Sequence, residues 1–284
     1  MPSYLTALLL ILLEIFSASP SADAHTLNLQ NGSYVHLAEL VADLKDARII
    51  FIGENHDNRN HHQAQLDIIQ ALRKSGIEPV IGLEMFRSDS QAALDGWVNG
   101  TIDLARFKIA YNDNWKWWDQ YRPIFELART ARLPMIGLNF PREISAKVAS
   151  QGFSSLSKKQ LQKLPNSRCF VDGNYSDYIR QSLNSHGHQA GASFENFCEA
   201  QVLWDEVMAK NILAYLAAHP KKKMVVLAGN GHAWKPGIPE RLMDNGEISW
   251  RVLLPEAPGL TQRGSVNFYD GDYLILGLEE EKMH

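Results

Sequence analysis

The sequence predicts an α/β fold: a mainly parallel central sheet flanked by helices, with a helical cap formed by insertions. Three observations carry this. Four runs, residues 48–56 (RIIFIGENH), 80–86 (VIGLEMF), 133–139 (LPMIGLN) and 224–232 (MVVLAGNGH), have the continuous aliphatic character of strands covered on both faces. Helix-length segments with apolar residues at helical spacing lie between them, the alternation of right-handed βαβ units. Each run also ends abruptly in polar residues. Ligands of open parallel sheets collect beyond the carboxyl ends of the strands. Glu54, His56, Glu84, Asn139, Asn230 and His232 are therefore expected to converge on one rim.

From the amino terminus, Tyr4 to Phe16 is an apolar run, followed by small residues and Ala22-Asp23-Ala24. That is the pattern of a secretory signal with its cleavage site. Residues 1–24 are read as a signal peptide and 25–284 as a single α/β domain, exported to a bacterial periplasm. The run is too short to span a bilayer comfortably, and no cysteine closely follows it as a lipoprotein anchor would require. After a short mobile start, Val35, Leu37, Leu40, Val41 and Leu44 mark a first helix. A second is expected over residues 60–75, with Asn60 and Gln63 as a capping-box-like pair and Gly76 as its stop.

Two insertions break the rhythm, at about residues 90–127 and 151–199. The first is helical and aromatic, with Trp97, Phe107, Tyr111, Trp115, Trp117, Trp118, Tyr121 and Phe125. The second is polar and carries both cysteines, His186 and His188. Insertions of this length are often functional lids, hence the expected cap over the rim. Residues 199–219 read as one long helix with Val202, Leu203, Glu206, Val207, Lys210 and Leu213 on one side. Residues 249–254 and 273–278 read as final strands at one sheet edge.

Charge excludes one class of partner. The chain has 28 Lys and Arg against 32 Asp and Glu, and Lys221–Lys223 is its only basic run. Such a balance gives no electrostatic reason to bind nucleic acid. In an exported chain two cysteines, Cys169 and Cys198, favour a disulfide.

The chemistry-bearing residues sit in short motifs. Glu54 and His56 are two apart, so they share one side if strand geometry persists. A carboxylate orients an imidazole as a base or as a metal ligand. Glu84, inside an apolar strand, needs a partner, with His56, His232 and Arg142 as candidates. Gly229 and Gly231 permit a sharp turn that aims His232 over the rim and offers amide donors to an anion. There is no HExxH and no GxSxG. His61 and His62 at a helix start, and His186 and His188 in a loop, are expected to face solvent. Trp118, Tyr121 and Phe125 share one helical face, which by default packs on the sheet.

GENH followed by HxxQ (His62 to Gln65), GLEMF followed by Gln91 and Leu94-Asp95, the NxPR of Asn139 to Arg142 and the closing GNGH together resemble the ChaN family of haem-binding proteins. That family sits in a superfamily with Tiki-type metalloproteases and erythromycin-esterase-like hydrolases. The resemblance covers about Arg48 to His232. It implies haem binding, with a role in haem capture or carriage for iron acquisition. Haem needs apolar walls, an axial donor and groups for its propionates. On that implication Tyr111 is the expected ligand of the haem iron and Tyr121 the second choice. His232 and Arg142 would meet propionates, and a homodimer would bury more of the haem than one shallow rim. The alternative is a hydrolase, possibly metal-dependent, with Glu54, His56, Glu84 and His232 as its catalytic residues.

Overall fold

The computed structural model describes residues 26–278 apart from 163, 166–167, 172, 186–192 and 244–247. The expected signal peptide, His186 and His188 lie outside the described residues. The elements run β1 (Thr26–Asn28), β2 (Tyr34–Val35), α1 (Leu37–Leu44), β3 (Ile49–Ile52), α2 (Arg59–Lys74), β4 (Val80–Arg87), α3 (Gln91–Asn99), α4 (Leu104–Asn114) and α5 (Trp118–Ala131). They continue with β5 (Met135–Asn139), α6 (Arg142–Gln151), α7 (Lys158–Leu161), α8 (Gly173–Ser185), α9 (Phe194–Ala218), β6 (Met224–Leu227), α10 (Asn230–Ala233), α11 (Ile238–Leu242), β7 (Trp250–Pro255) and β8 (Tyr273–Ile275).

One eight-stranded sheet has the order β2-β1-β8-β7-β3-β6-β4-β5. From β8 to β5 every pairing is parallel; β1 joins β8 antiparallel, and β2 joins β1 antiparallel. The expected mobile start is therefore a hairpin, and it extends the edge that β8 was expected to form. At the opposite edge the Gln91 side chain acts as a surrogate strand. Its amide donates to Met135 O (2.7 Å) and accepts from Gly137 N (3.0 Å), satisfying backbone groups that an edge strand leaves open.

Alternation along the strands divides the core. Ile50, Ile52, Ile81, Leu83, Val225 and Leu227 face a layer made by α1 to α5. Ile49, Phe51, Val80, Met224 and Val226 face the opposite layer, which includes α8, α9 and α11. Continuous apolar runs are the sequence consequence of having both faces covered.

Two local expectations change. Asn58, not Asn60, caps α2; its side chain accepts from Asn60 N (2.9 Å) and His61 N (3.2 Å), a contact worth about 1 kcal/mol. The aromatic insertion is no lid over most of its length: Phe107, Tyr111, Trp118, Tyr121 and Phe125 are buried in the α1 to α5 layer. The cap over the GNGH turn comes from α8, within the second insertion. The second insertion does contain a disulfide, Cys169–Cys198, which ties the chain ahead of α8 to α9 and spans 29 residues.

Candidate functional site

Parallel register brings the ends of β3, β4 and β6 side by side, Phe51 against Val226 and Gly82 against Val226. The residues that follow inherit that adjacency. Glu54, almost fully buried, accepts from the Tyr121 hydroxyl and from Nδ1 of His56 (2.8 Å) on Oε1, and from Nε2 of Gln65 (2.8 Å) on Oε2. His62 Nδ1 stands 3.4 Å from the same Oε2 while its Nε2 donates to the His56 carbonyl (3.1 Å). Burial alone would raise the Glu54 pKa, but these donors outweigh it and the carboxyl is held well below its usual range. Burial likewise opposes charge on His56, yet the Glu54 hydrogen bond and the charges of Glu84 and Glu54 push its pKa up to about 9.

A second relay of the same design faces the first. The Tyr175 hydroxyl donates to Asp205, and Nδ1 of His232 donates to the other Asp205 oxygen (2.7 Å). Burial opposes charge on His232, but Glu84 and Asp205 raise its pKa. Both relays end on one carboxylate: Nε2 of His56 lies 4.0 Å and Nε2 of His232 3.8 Å from Oε1 of Glu84. Glu84 is fixed through Oε2, which accepts from Gly229 N (2.7 Å). A Tyr–carboxylate–His relay thus stands on each side of Glu84. Oriented imidazoles of this kind can donate to an anion, or act as bases where their protons are lost.

The glycines of GNGH are needed for space rather than for a positive φ. A Cβ on Gly229 would lie 3.0 Å from Cε1 of His56, and one on Gly231 would lie 2.4 Å from the Tyr178 hydroxyl oxygen. Tyr178, on α8, is therefore the tyrosine whose phenol reaches this turn. Asn230 ties the two end motifs together, its backbone N donating to Glu54 O (2.9 Å) and its side-chain amide to Asn55 Oδ1 (3.1 Å). Asn139 serves the rim from below, donating to the Glu84 carbonyl (2.9 Å). Arg142 is exposed in the first turn of α6, three residues past the end of β5, with no contact to the relays.

Tyr111 and Tyr121 are not presented to the rim's exterior. Tyr111 is fully buried against Trp118 (ring centroids 4.9 Å) and Phe125 (5.5 Å), and its hydroxyl donates to Lys116 O (2.6 Å). Burial first, and then the Glu54 charge, push both phenol pKa values far up. Each phenol is buried and donates its hydroxyl proton within the fold, Tyr111 to the Lys116 carbonyl and Tyr121 to Glu54. The Tyr111 hydroxyl pins the turn between α4 and α5. In that turn Trp117 takes φ 56° and ψ 40°, a left-handed conformation costing a bulky residue about 1–2 kcal/mol. Trp117 stays 43% exposed, and its ring lies 6.4 Å from that of His56 at 21°, while Trp115 meets His56 edge-on at 5.0 Å.

His61 and His62 do not face solvent. Nδ1 of His61 accepts from Asn55 N (2.8 Å) and its Nε2 meets Glu256 O (3.2 Å), which assigns the Nε2–H tautomer. Asp205 and Tyr175 were missed by sequence reasoning. Asp205 could have been found: Cys198, Val202, Asp205, Ala209, Ile212 and Leu216 recur at alternating four- and three-residue steps, and all are buried. Among the described residues, no group of three His, Cys, Asp or Glu is placed to hold a metal ion, and no helix is long and apolar enough to cross a membrane. A separate cleft of about 600 Å³ opens beside the disulfide, lined by Phe153, Leu161, Arg168, Phe170, Glu195 and Glu199 among others. None of the rim residues lines it.

Comparison with known proteins places this geometry in a family. ChaN of Campylobacter jejuni, described with cofacial haem binding, superposes with a TM-score of 0.70 at 20% identity, over 89% of this chain and 96% of its own. A succinoglycan biosynthesis protein matches with a TM-score of 0.50 at 14% identity, over 77% of this chain and 68% of its own. The open conformation of the erythromycin esterase mutant EreC H289N gives 0.49 at 14% identity, over 88% and 82%. No curated protein matches the sequence. Residues 40–242 fit the family described as "Haem-binding uptake, Tiki superfamily, ChaN". With the parallel sheet, GENH and GNGH meeting across Glu84, and most of the domain covered, the chain belongs to the ChaN family of haem-binding uptake proteins.

Proposed function

We propose that this protein binds haem at the rim and carries it in iron acquisition as an exported protein. Haem is the cargo. The observation that carries the reading is the pair of imidazoles, His56 and His232, both held toward the protonated state at the strand ends. Such groups suit propionate carboxylates, and Arg142 at the mouth adds a cation on the same end of the sheet. The residues fit haem in this respect. The axial donor is better sought in Tyr178 than in Tyr111 or Tyr121, because the Tyr178 phenol lies against Gly231 of the GNGH turn. A homodimer closing over the rim would bury more of the porphyrin than one copy can.

Titration of the purified protein with ferric haem, followed by absorbance and by sedimentation, tests all three parts. Saturable stoichiometric binding, a changed spectrum in Tyr178→Phe, and dimerisation on loading support them. Absence of saturable binding overturns the reading.

A specific observation favours one second reading, a hydrolase. Two carboxylate-oriented imidazoles facing one glutamate make a proton-handling site whether or not haem binds. With the His56 pKa at about 9, that imidazole is a donor at neutral pH and becomes a base only in alkali. Ester hydrolysis that rises with pH to about 9 and disappears in both His56→Ala and His232→Ala supports the hydrolase. No turnover across a panel of esters removes it.

A further inference from the structure

The turn between α4 and α5 holds an exposed aromatic residue in a conformation its side chain disfavours, directly beside the rim. Only Trp117 and Arg132 have positive φ among the non-glycine described residues. Arg132 closes the carboxyl end of α5, where a left-handed residue is the ordinary way to end a helix. Trp117 precedes a helix and has no such excuse. Strain of this kind persists where surrounding contacts over-determine it, and it clusters at ligand clamps. Here the fixing contacts are visible: Trp115 N donates to Tyr111 O (2.7 Å), the Tyr111 hydroxyl to Lys116 O (2.6 Å), and Gln120 N to Trp117 O (3.0 Å).

Resting on the haem reading above, we propose that Trp117 is the platform on which the porphyrin plane lies, with His56 beside it reaching a propionate rather than the iron. The geometry separates these two roles. The Trp117 and His56 rings are nearly parallel, at 21°. A porphyrin stacked on Trp117 therefore lies nearly parallel to the imidazole. The Nε2–H bond points in the plane of its ring, along the porphyrin and not at its centre, so His56 meets the periphery, where the carboxylates are. His56 is 32% exposed at its side chain and already hydrogen-bonded through Nδ1, leaving Nε2 for that contact. Charge agrees, an imidazolium facing a carboxylate. The exposed indole supplies a flat apolar face of the kind that prefers offset stacking.

The test compares wild type, Trp117→Gly and Trp117→Phe against two probes, ferric haem and metal-free protoporphyrin IX. Glycine adopts the left-handed conformation freely, so Trp117→Gly removes the ring without forcing the turn to move. It should melt within a few degrees of wild type. We expect its Kd for both porphyrins to rise about tenfold or more, and that of Trp117→Phe by less than about threefold. His56→Ala should weaken haem binding and leave the Soret wavelength unchanged. Wild type binding both probes, with Trp117→Gly matching it within twofold, overturns the platform alone. A Soret shift in His56→Ala overturns the orientation. Wild type binding neither porphyrin overturns the haem reading and the platform with it.

Discussion

Replacing Glu54 by Gln should lower stability and flatten its pH dependence on the alkaline side. The carboxylate is buried and receives Tyr121, His56 and Gln65. The signs follow from the shifts. His56 and His62 have pKa values raised by folding. Their contribution is complete below the unfolded pKa of about 6.5 and is lost as pH climbs through the folded values. Glu54 is shifted down, so its contribution is complete above about 4.5 and is lost as pH falls through the folded value. Wild type should therefore be most stable between about pH 4.5 and 6.5 and should weaken toward pH 9. A rise of His56 from 6.5 to about 9 corresponds to at most about 3 kcal/mol at 1.36 kcal/mol per unit. Solvent reaches 32% of that side chain, which cuts the figure to about 1–2 kcal/mol. In a domain of this size that is about 2–8 °C in Tm between pH 6.5 and 9.

Glu54→Gln keeps the volume and one acceptor but removes the charge that holds both imidazoles protonated. Stranding them should cost about 3–5 kcal/mol near pH 6, and less at pH 9, where they are free to be neutral. Urea unfolding at pH 6, 7.5 and 9, with imidazole titrations followed by NMR, measures both effects. A variant whose stability falls between pH 6 and 9 as steeply as wild type would refute the assignment of that slope to the Glu54 cluster.

The other predictions concern the opposite relay, the aromatic turn and the disulfide. Asp205→Asn should lower the NMR-detected pKa of His232 while leaving that of His56 within a few tenths of a unit, because of the two imidazoles it is His232 that is hydrogen-bonded to Asp205. Tyr111→Phe should weaken haem binding several-fold through release of the Lys116 carbonyl and the Trp117 turn, with the Soret wavelength unchanged; a wavelength shift would identify Tyr111 as the ligand. Reduction of Cys169–Cys198, with a sequence separation of 29, should cost up to about 3–4 kcal/mol by loop entropy, read as a lower Tm in reductant. Mass spectrometry of protein from its native host should find His25 at the amino terminus if residues 1–24 are a signal peptide.

Much of the architecture was legible because its causes are local or periodic. Strands covered on both faces must be apolar throughout, so β3, β4, β5 and β6 announced themselves, and parallel pairing sent their polar ends to one rim. Side-chain commitment was less legible. Tyr111 and Tyr121 are spaced like any core aromatics, and nothing in spacing says that one hydroxyl pins a turn while the other donates to Glu54. His61 and His62 looked solvent-facing because a polar helix start usually is, but here it dips beneath GENH and turns inward. Asp205 was hidden by a misplaced stripe. Its neighbour Glu206 was grouped on one side of the helix with Val202, Leu203 and Val207, although the Cys198-to-Leu216 repeat runs through Asp205.

The symmetry of the two relays also separates the competing functions. A hydrolytic site needs one imidazole free of its proton, and it gains nothing from holding both imidazoles charged. Each carboxylate here does the reverse. Glu54 lies on one His and Asp205 on the other, while Glu84 faces both Nε2 atoms from 3.8 and 4.0 Å without a direct hydrogen bond. Those distances leave the Nε2 protons unspent on Glu84. A ligand carboxylate, or a water that it displaces, can accept them. A group that removed Glu84, as Glu84→Gln does, would weaken the hold on both protons at once. Under the haem reading that variant should bind haem at pH 6 much as wild type does but lose affinity at a lower pH on the alkaline side, because His56 would deprotonate sooner. Under the hydrolase reading it should shift the alkaline activity profile to lower pH instead. Measuring haem affinity and ester turnover across pH 6 to 10 on this single variant distinguishes the two.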